Sequence, residues 1–320
     1  MTGVWKCVGI FAAGIFSGAA LLKTLEREPG NVPGRFGLTR RDAEKPFDFD
    51  VEKFLEMGDP GPIHDKLVRH GYMSVYDRRT RTPAYTAETI TKESLAQRDG
   101  NRKYSRFKED EEVPQMYRAK LSDYYRSGYD RGHQVPAADC KTSQTAMDET
   151  FLLTNMCPQV GDGFNRNYWA YFEDWCRKLT NKFDEVTIIT GPLFLPKKNG
   201  DGKWVVSYEM VGNPPSVAVP THFYKVVIGT SKYSRTDNAA VGAFVLPNAV
   251  IDDNTALSTF KVPVEVIERS SGLELLHGLN ASTKKDICSQ VNCSLDVAAF
   301  KEHIDAKKRA AATAAADAKK

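Results

Sequence analysis

YDRGHQVPAAD at residues 129–139, followed at 147–175 by MDETFLLTNMCPQVGDGFNRNYWAYFEDW, decides how this chain is read. In the first stretch an imidazole, His133, follows a guanidinium, Arg131, by two positions, and Gly132 between them is expected to relax the backbone. One side chain can take a proton while the other holds negative charge beside it, as phosphodiester hydrolysis requires. The second stretch concentrates Asn155, Asn165, Asn167 and Glu173 around a run of aromatic residues. Buried amides are expensive unless every polar atom finds a partner. Nearly neutral oxygen donors suit Mg²⁺, which keeps most of its waters and takes few protein ligands. A capping and loop-structuring role is the alternative for these asparagines.

Outward from this cluster, NYWAYFEDWCRKL spaces Trp169, Phe172, Cys176 and Leu179 by three and four, predicting an amphipathic helix whose tryptophans belong to the core. Upstream, GYMSVYD and TPAYTAETI have the aromatic and β-branched content of two strands, with DRRT as the hairpin turn. Folded patterning is expected from about Gly71, with a helix around Tyr117 to Leu121 after a charged loop. Downstream, EVTIITGPLF, KWVVSYEMV, HFYKVVIGT and AVGAFVLPN read as strands separated by turns, enough for a central sheet. The tail KKRAAATAAADAKK is of low complexity, a frayed helix or a disordered extension.

With 320 residues, 41% hydrophobic and 27% charged, the chain is neither disordered nor a polytopic membrane protein, and one core with extensions is expected. A net charge of +3 means that any basic surface is local. The six cysteines form no CxxC pair, which argues against a Cys-based zinc site. Cys288 and Cys293 would either bridge a short loop or remain free thiols. The uncharged run from Cys7 to Leu22, between Lys6 and Lys23, reads as a targeting or membrane-anchor segment within 1–28. A Pro- and Gly-rich linker over 29–62 follows, then a folded domain over 63–300 and a tail over 301–320.

The ordered motifs DRGH (Asp130 to His133), PAAD (Pro136 to Asp139), M-ETF (Met147 to Phe151), TN--PQ (Thr154 to Gln159) and N-N-W---E (Asn165 to Glu173) resemble the signature of the DNA/RNA non-specific nucleases. YDRRTR at Tyr76 to Arg81 and IERSSGL at Ile267 to Leu273 bring the likeness closest to the mitochondrial endonuclease G branch. The resemblance implies an α+β, ββα-metal (His-Me finger) fold with a mostly antiparallel central sheet flanked by helices. It implies an endonuclease that cleaves DNA and RNA with Mg²⁺, or Mn²⁺ in its place, leaving 5′-phosphate and 3′-hydroxyl ends.

Carried over by position, His133 resembles the general base and Asn165 the single direct metal ligand. Glu173 and Arg131 would bind the metal's waters or the scissile phosphate, while Asn155 and Asn167 would hold the site in shape. Asp130 and an arginine from the NRKYSRFKED loop, Arg106 or its competitor Arg102, would meet substrate. A homodimer, membrane attachment through the N-terminal segment, and residence in the mitochondrial inner membrane or intermembrane space, with the nucleus after release, are further implications. So is a part in mitochondrial nucleic-acid processing and apoptotic DNA degradation. Gln134, Phe172 and Cys140 are the small departures from the pattern. The rival readings are a secreted nutritional nuclease of the same superfamily and a catalytically silent nucleic-acid-binding scaffold.

Overall fold

The computed structural model describes residues 64–234 and 236–317. The chain divides into compact units at 1–61 and 62–320, and the described residues belong to the second. The expected anchor run and linker lie outside them. Among the described residues no helix is long and apolar enough to cross a membrane.

The frame is a sheet in the order β1 (His64–Val68), β2 (Tyr72–Asp77), β3 (Thr82–Ile90), β6 (Glu185–Leu193), β7 (His222–Thr230) and β8 (Ala240–Pro247). These neighbours are all antiparallel. Lys261–Val262 extends the far edge, and Lys285–Asp286 adds a short parallel ladder to β8. Strand β7 is nearly continuous in apolar residues because both of its faces are covered. On one face Phe223, Val227, Phe244 and Leu246 pack under helix α2 (Tyr168–Lys178). On the other, Tyr224, Val226, Ile228 and Val241 pack with Ile267 of helix α3 (Val264–Ser271). Helix α3 ends at Gly272, whose φ of 76° is left-handed and whose N–H reaches the Glu268 carbonyl at 2.8 Å.

Against the α2 face stands a separate two-stranded ribbon, β4 (Asp130–His133) with β5 (Met156–Gln159), paired His133 to Met156 and Asp130 to Gln159. Helix α1 (Gln144–Glu149) lies in the connection between its strands, and α2 follows β5 after a tight turn. The ribbon and α2 make up the expected ββα unit. Helix α2 is amphipathic as its spacing predicts: Trp169, Phe172 and Cys176 are buried, while Lys178 faces solvent. Phe244 joins the layers, with its ring 5.3 Å from that of Phe172 and 5.8 Å from that of Trp175.

Three expectations are corrected. Folding starts before Gly71, because the edge strand β1 pairs along its length with β2. Only Leu67 of β1 is buried, so the strand carries no alternating apolar signal. In place of a helix over Tyr117 to Leu121 there is a 3-10 turn at Gln115–Tyr117 and a short helix at Leu121–Tyr124, with Arg118 and Lys120 extended between them. KWVVSYEMV forms only two-residue ladders, Trp204–Val205 with Lys197–Lys198 and Met210–Val211 with Val217–Ala218. Its side chains lie largely exposed, so nothing fixes a long register. The tail is helical, α4 running from Val297 to Asp317, with the Phe300 ring 5.0 Å from that of Tyr171. The cysteine question also closes: Cys288 and Cys293 form a disulfide, and beside it Trp175 Nε1 donates to the Asn292 carbonyl at 2.9 Å.

Truncating Phe244 to Ala removes the ring on which two α2 aromatics rest. A loss of about 3–5 kcal/mol in chemical denaturation is expected, and a loss below about 1 kcal/mol would show that α2 is not keyed to the sheet through this residue.

Candidate active site

His133 ends β4 with its imidazole wedged between two phenyl rings. The Phe151 ring meets it edge-on at 4.9 Å and the Phe107 ring lies at 5.6 Å. Each of these phenyls carries a guanidinium, Arg102 at 5.5 Å over Phe151 and Arg131 at 4.3 Å over Phe107. His133 Nε2 is sealed from solvent with no hydrogen-bond partner. The residue as a whole is only half-buried, so Nδ1 is the nitrogen left to meet a water. Burial, and then the charge of Arg102, push the His133 pKa down to about 3. The imidazole is therefore neutral at working pH.

The backbone behind the histidine is held by Asn155, which is fully buried. Its Nδ2 donates to the carbonyls of Val135 and Thr150, each at 2.9 Å, and its Oδ1 accepts from Val135 N at 3.0 Å. Its carbonyl accepts from Gln134 N at 2.9 Å. All of its side-chain capacity goes into shaping the loop.

Gly132 has a reason other than the expected one. A Cβ there would stand 1.9 Å from Oε1 of the buried Gln159, so the position demands close approach, not unusual dihedrals.

Asn165 closes the turn Gly161–Asn165, where Gly163 has a φ of 80°. Asn167 braces this turn, its Oδ1 accepting from Gly163 N at 2.9 Å. Asn165 Nδ2 donates to Asp130 Oδ2 at 2.8 Å, which leaves Oδ1 without a hydrogen-bond partner among the described residues. Asp130, expected to meet substrate, has its carboxylate engaged within the protein. Arg166 Nε donates to its Oδ2 at 2.8 Å and Arg166 Nη2 to its Oδ1 at 2.6 Å. Burial raises the Asp130 pKa, but the hydrogen bonds from Arg166 and Asn165 more than offset this and hold it below the usual carboxylate range. Arg166 was missed in the sequence, where nothing marks it beyond its place between two asparagines.

Glu173 lies on α2, half-buried and without a hydrogen bond or ion pair among the described residues. Burial raises its pKa to about 7 against the pull of Lys225, Arg177 and Arg102. Of the two loop arginines, Arg102 is the one whose charge reaches both His133 and Glu173. Arg106 is exposed. Lys225, Glu88 and the ion pair between Arg177 and Asp139 (3.0 Å) were also missed. A lysine inside the apolar strand HFYKVVIGT was the readable signal for the first.

One strand thus carries both the carboxylate that orients the Asn165 amide and a neutral imidazole flanked by two guanidiniums, and such groups could take a hydrated divalent cation and a phosphate. The profile of the DNA/RNA non-specific endonuclease family matches residues 50–282. The chain belongs to that family. It is 55% identical over 312 residues to "Nuclease 1, mitochondrial" of Schizosaccharomyces pombe, covering 95% of this chain and 97% of that protein. To the "Mitochondrial nuclease" of Saccharomyces cerevisiae it is 54% identical over 270 residues, covering 82% of each. Among solved structures, the crystal structure of the EndoG/EndoGI complex matches with a TM-score of 0.66 and 41% identity, over 74% of this chain and 97% of that one. The chain is thus an endonuclease with the ββα fold, and the family is one of divalent-metal-dependent nucleases.

The depressed His133 pKa sets a sign for acid stability. The unfolded imidazole titrates near 6.5 and the folded one at about 3, so the folded state binds fewer protons between those values. The stability this ring contributes is complete above pH 6.5 and is lost as pH falls toward 3. Unfolding free energy should therefore drop less between pH 7 and pH 4.5 in His133→Asn than in the unaltered protein; equal drops would mean the ring is not sealed.

Proposed function

We propose that this endonuclease hydrolyses DNA and RNA with Mg²⁺, using His133 as general base and Asn165 as its direct protein ligand to the metal. The observation that carries the reading is the aimed amide: Asp130 can accept only from the nitrogen of Asn165, so the oxygen is presented bare. Residues of this kind fit a hydrated Mg²⁺, with Glu173 beside the site to receive its waters. A Mg²⁺ held there would supply positive charge to offset the negative charge that develops on the reacting phosphate.

The chain's own groups supply the rest. Arg131 and Arg102 bind the scissile phosphate across the two phenyl rings. His133 Nδ1 takes a proton from the attacking water, whose oxygen bonds to phosphorus as the bond to the 3′-oxygen breaks. That oxygen takes a proton from a solvent water as it leaves, and the imidazolium returns its own to solvent, giving 5′-phosphate and 3′-hydroxyl ends. A base of pKa about 3 is weak in the free protein, chiefly through burial, and an anion bound beside Arg102 would offset the part of the shift that this arginine's charge causes. Contacts directed at phosphate leave little sequence preference and make binding weaken with salt.

The printed names of the two yeast relatives support mitochondrial residence. We place the chain at the inner membrane or in the intermembrane space, held by the Cys7 to Leu22 run, with access to the nucleus after release. Mitochondrial nucleic-acid processing and apoptotic DNA degradation are the occasions this location suggests. The exposed side chains of Trp204, Val206, Tyr208 and Met210 offer an apolar face for a second copy.

In a plasmid-nicking assay His133→Ala should lose activity by a factor of about 100 or more while DNA binding survives. Asn165→Ala should be severely impaired, with excess Mg²⁺ restoring only part, since position as well as occupancy is lost. Unimpaired turnover in either would refute its assigned role. A chain beginning at Asp59 should remain soluble and active, sediment as a dimer and no longer associate with membranes. Aggregation, a monomer, or retained membrane binding would each remove the corresponding element of the proposal.

A further inference from the structure

Lys225 stands in the middle of β7 with 1% of its surface exposed, the one charged residue in that strand. Its ammonium donates to Thr190 Oγ1 at 2.9 Å and to the Gln134 carbonyl at 3.4 Å, and it sits 4.7 Å over the Trp169 ring. The register aligns Thr86, Thr190 and Lys225 across β3, β6 and β7, on the face that α2 covers. Glu88, two residues beyond Thr86, shares that face. It is 4% exposed and neither of its carboxylate oxygens has a partner. Asp139 is equally buried, with Oδ1 on Arg177 and Oδ2 unpaired.

Three carboxyl groups, Glu88, Asp139 and Glu173, thus share one field with two cations, Lys225 and Arg177. Nothing in sheet packing requires a lysine here, since an aliphatic residue would bury as well without the penalty of desolvating a charge. What an aliphatic residue would not do is grip the Gln134 carbonyl. That carbonyl belongs to the residue directly after His133, whose N–H is already tied to Asn155.

We propose that Lys225 is a positioning residue for phosphodiester cleavage: its ammonium fastens the backbone behind His133 to the central sheet and balances the carboxyl groups under helix α2. The ribbon that carries the imidazole and the helix that carries Glu173 then refer to a single buried charge, and the two halves of the site keep their spacing. The inference rests on the roles given above to His133 and Glu173. It goes beyond them, because Lys225 itself touches neither substrate nor metal.

The test separates positioning from folding. Lys225→Met should lower kcat on plasmid DNA at saturating Mg²⁺ by about 100-fold, as misplaced catalytic groups do, with KM little changed because the phosphate contacts remain. It should also lower the thermal midpoint, since Glu88 is left uncompensated. The double variant Lys225→Met with Glu88→Gln removes the ammonium together with the titratable carboxyl group nearby and should recover most of the midpoint while kcat stays low. Recovery of wild-type kcat in the double variant overturns the proposal, leaving Lys225 a structural charge. Should both fail to fold, Thr190→Val decides: it deletes the acceptor at 2.9 Å and keeps the ammonium. A fall in kcat at constant KM supports the proposal, and an unchanged kcat overturns it. His133→Ala in the same assay tells the two readings apart, for its full activity would remove the catalytic assignment itself.

Discussion

The aromatic contact between α2 and the sheet sets the coordinates of nearly every polar group in the site. Trp169, Phe172 and Trp175 press against Phe223 and Phe244 with ring separations of 5.3 to 5.8 Å. A helix keyed at so many rings cannot slide by a turn without emptying the core. The turn that precedes α2 holds Asn165 and the helix itself holds Glu173, so both inherit this immobility. The β4–β5 ribbon is too small to be stable alone. It gains its order from the same helix, from the loop bonds of Asn155 and from the ammonium of Lys225.

Charge is distributed with equal economy of means. The imidazole is kept neutral by burial between two phenyl rings, and the same rings present Arg102 and Arg131 to whatever anion approaches. Hydrophobic packing around the imidazole and the placing of two guanidiniums are therefore one construction.

How much of this was legible in the sequence depended on whether a residue belonged to a pattern. Periodicity exposed α2 and the central strands β3, β6, β7 and β8, because buried strands and amphipathic helices must repeat. It failed for β1, which buries only Leu67, and for KWVVSYEMV, where β-forming residues lie exposed. Ordered motifs brought His133, Asn155, Asn165, Asn167 and Glu173 into view. Asp130, Arg166, Glu88 and Lys225 had their partners decided by folding: Asp130 meets Asn165 and Arg166 from 35 and 36 positions away, and Lys225 meets Gln134 across 91. No local spacing announces such contacts. Gly132 shows the same limit, since its need for a missing side chain comes from Gln159 on the neighbouring strand.

The hydrogen bond from Asn165 to Asp130 also constrains what the chain can become. An aspartate at 165 would be a stronger ligand for a cation, yet its second oxygen would face the Asp130 carboxylate at the present 2.8 Å, and two like charges that close repel strongly. With Asp130 fixed by Arg166, position 165 is confined to a neutral side chain, which in the proposed role would give only a loose hold on a metal. A loose hold has a kinetic merit: the cleaved end, which carries a fresh phosphate charge, is not trapped on a tightly gripped cation.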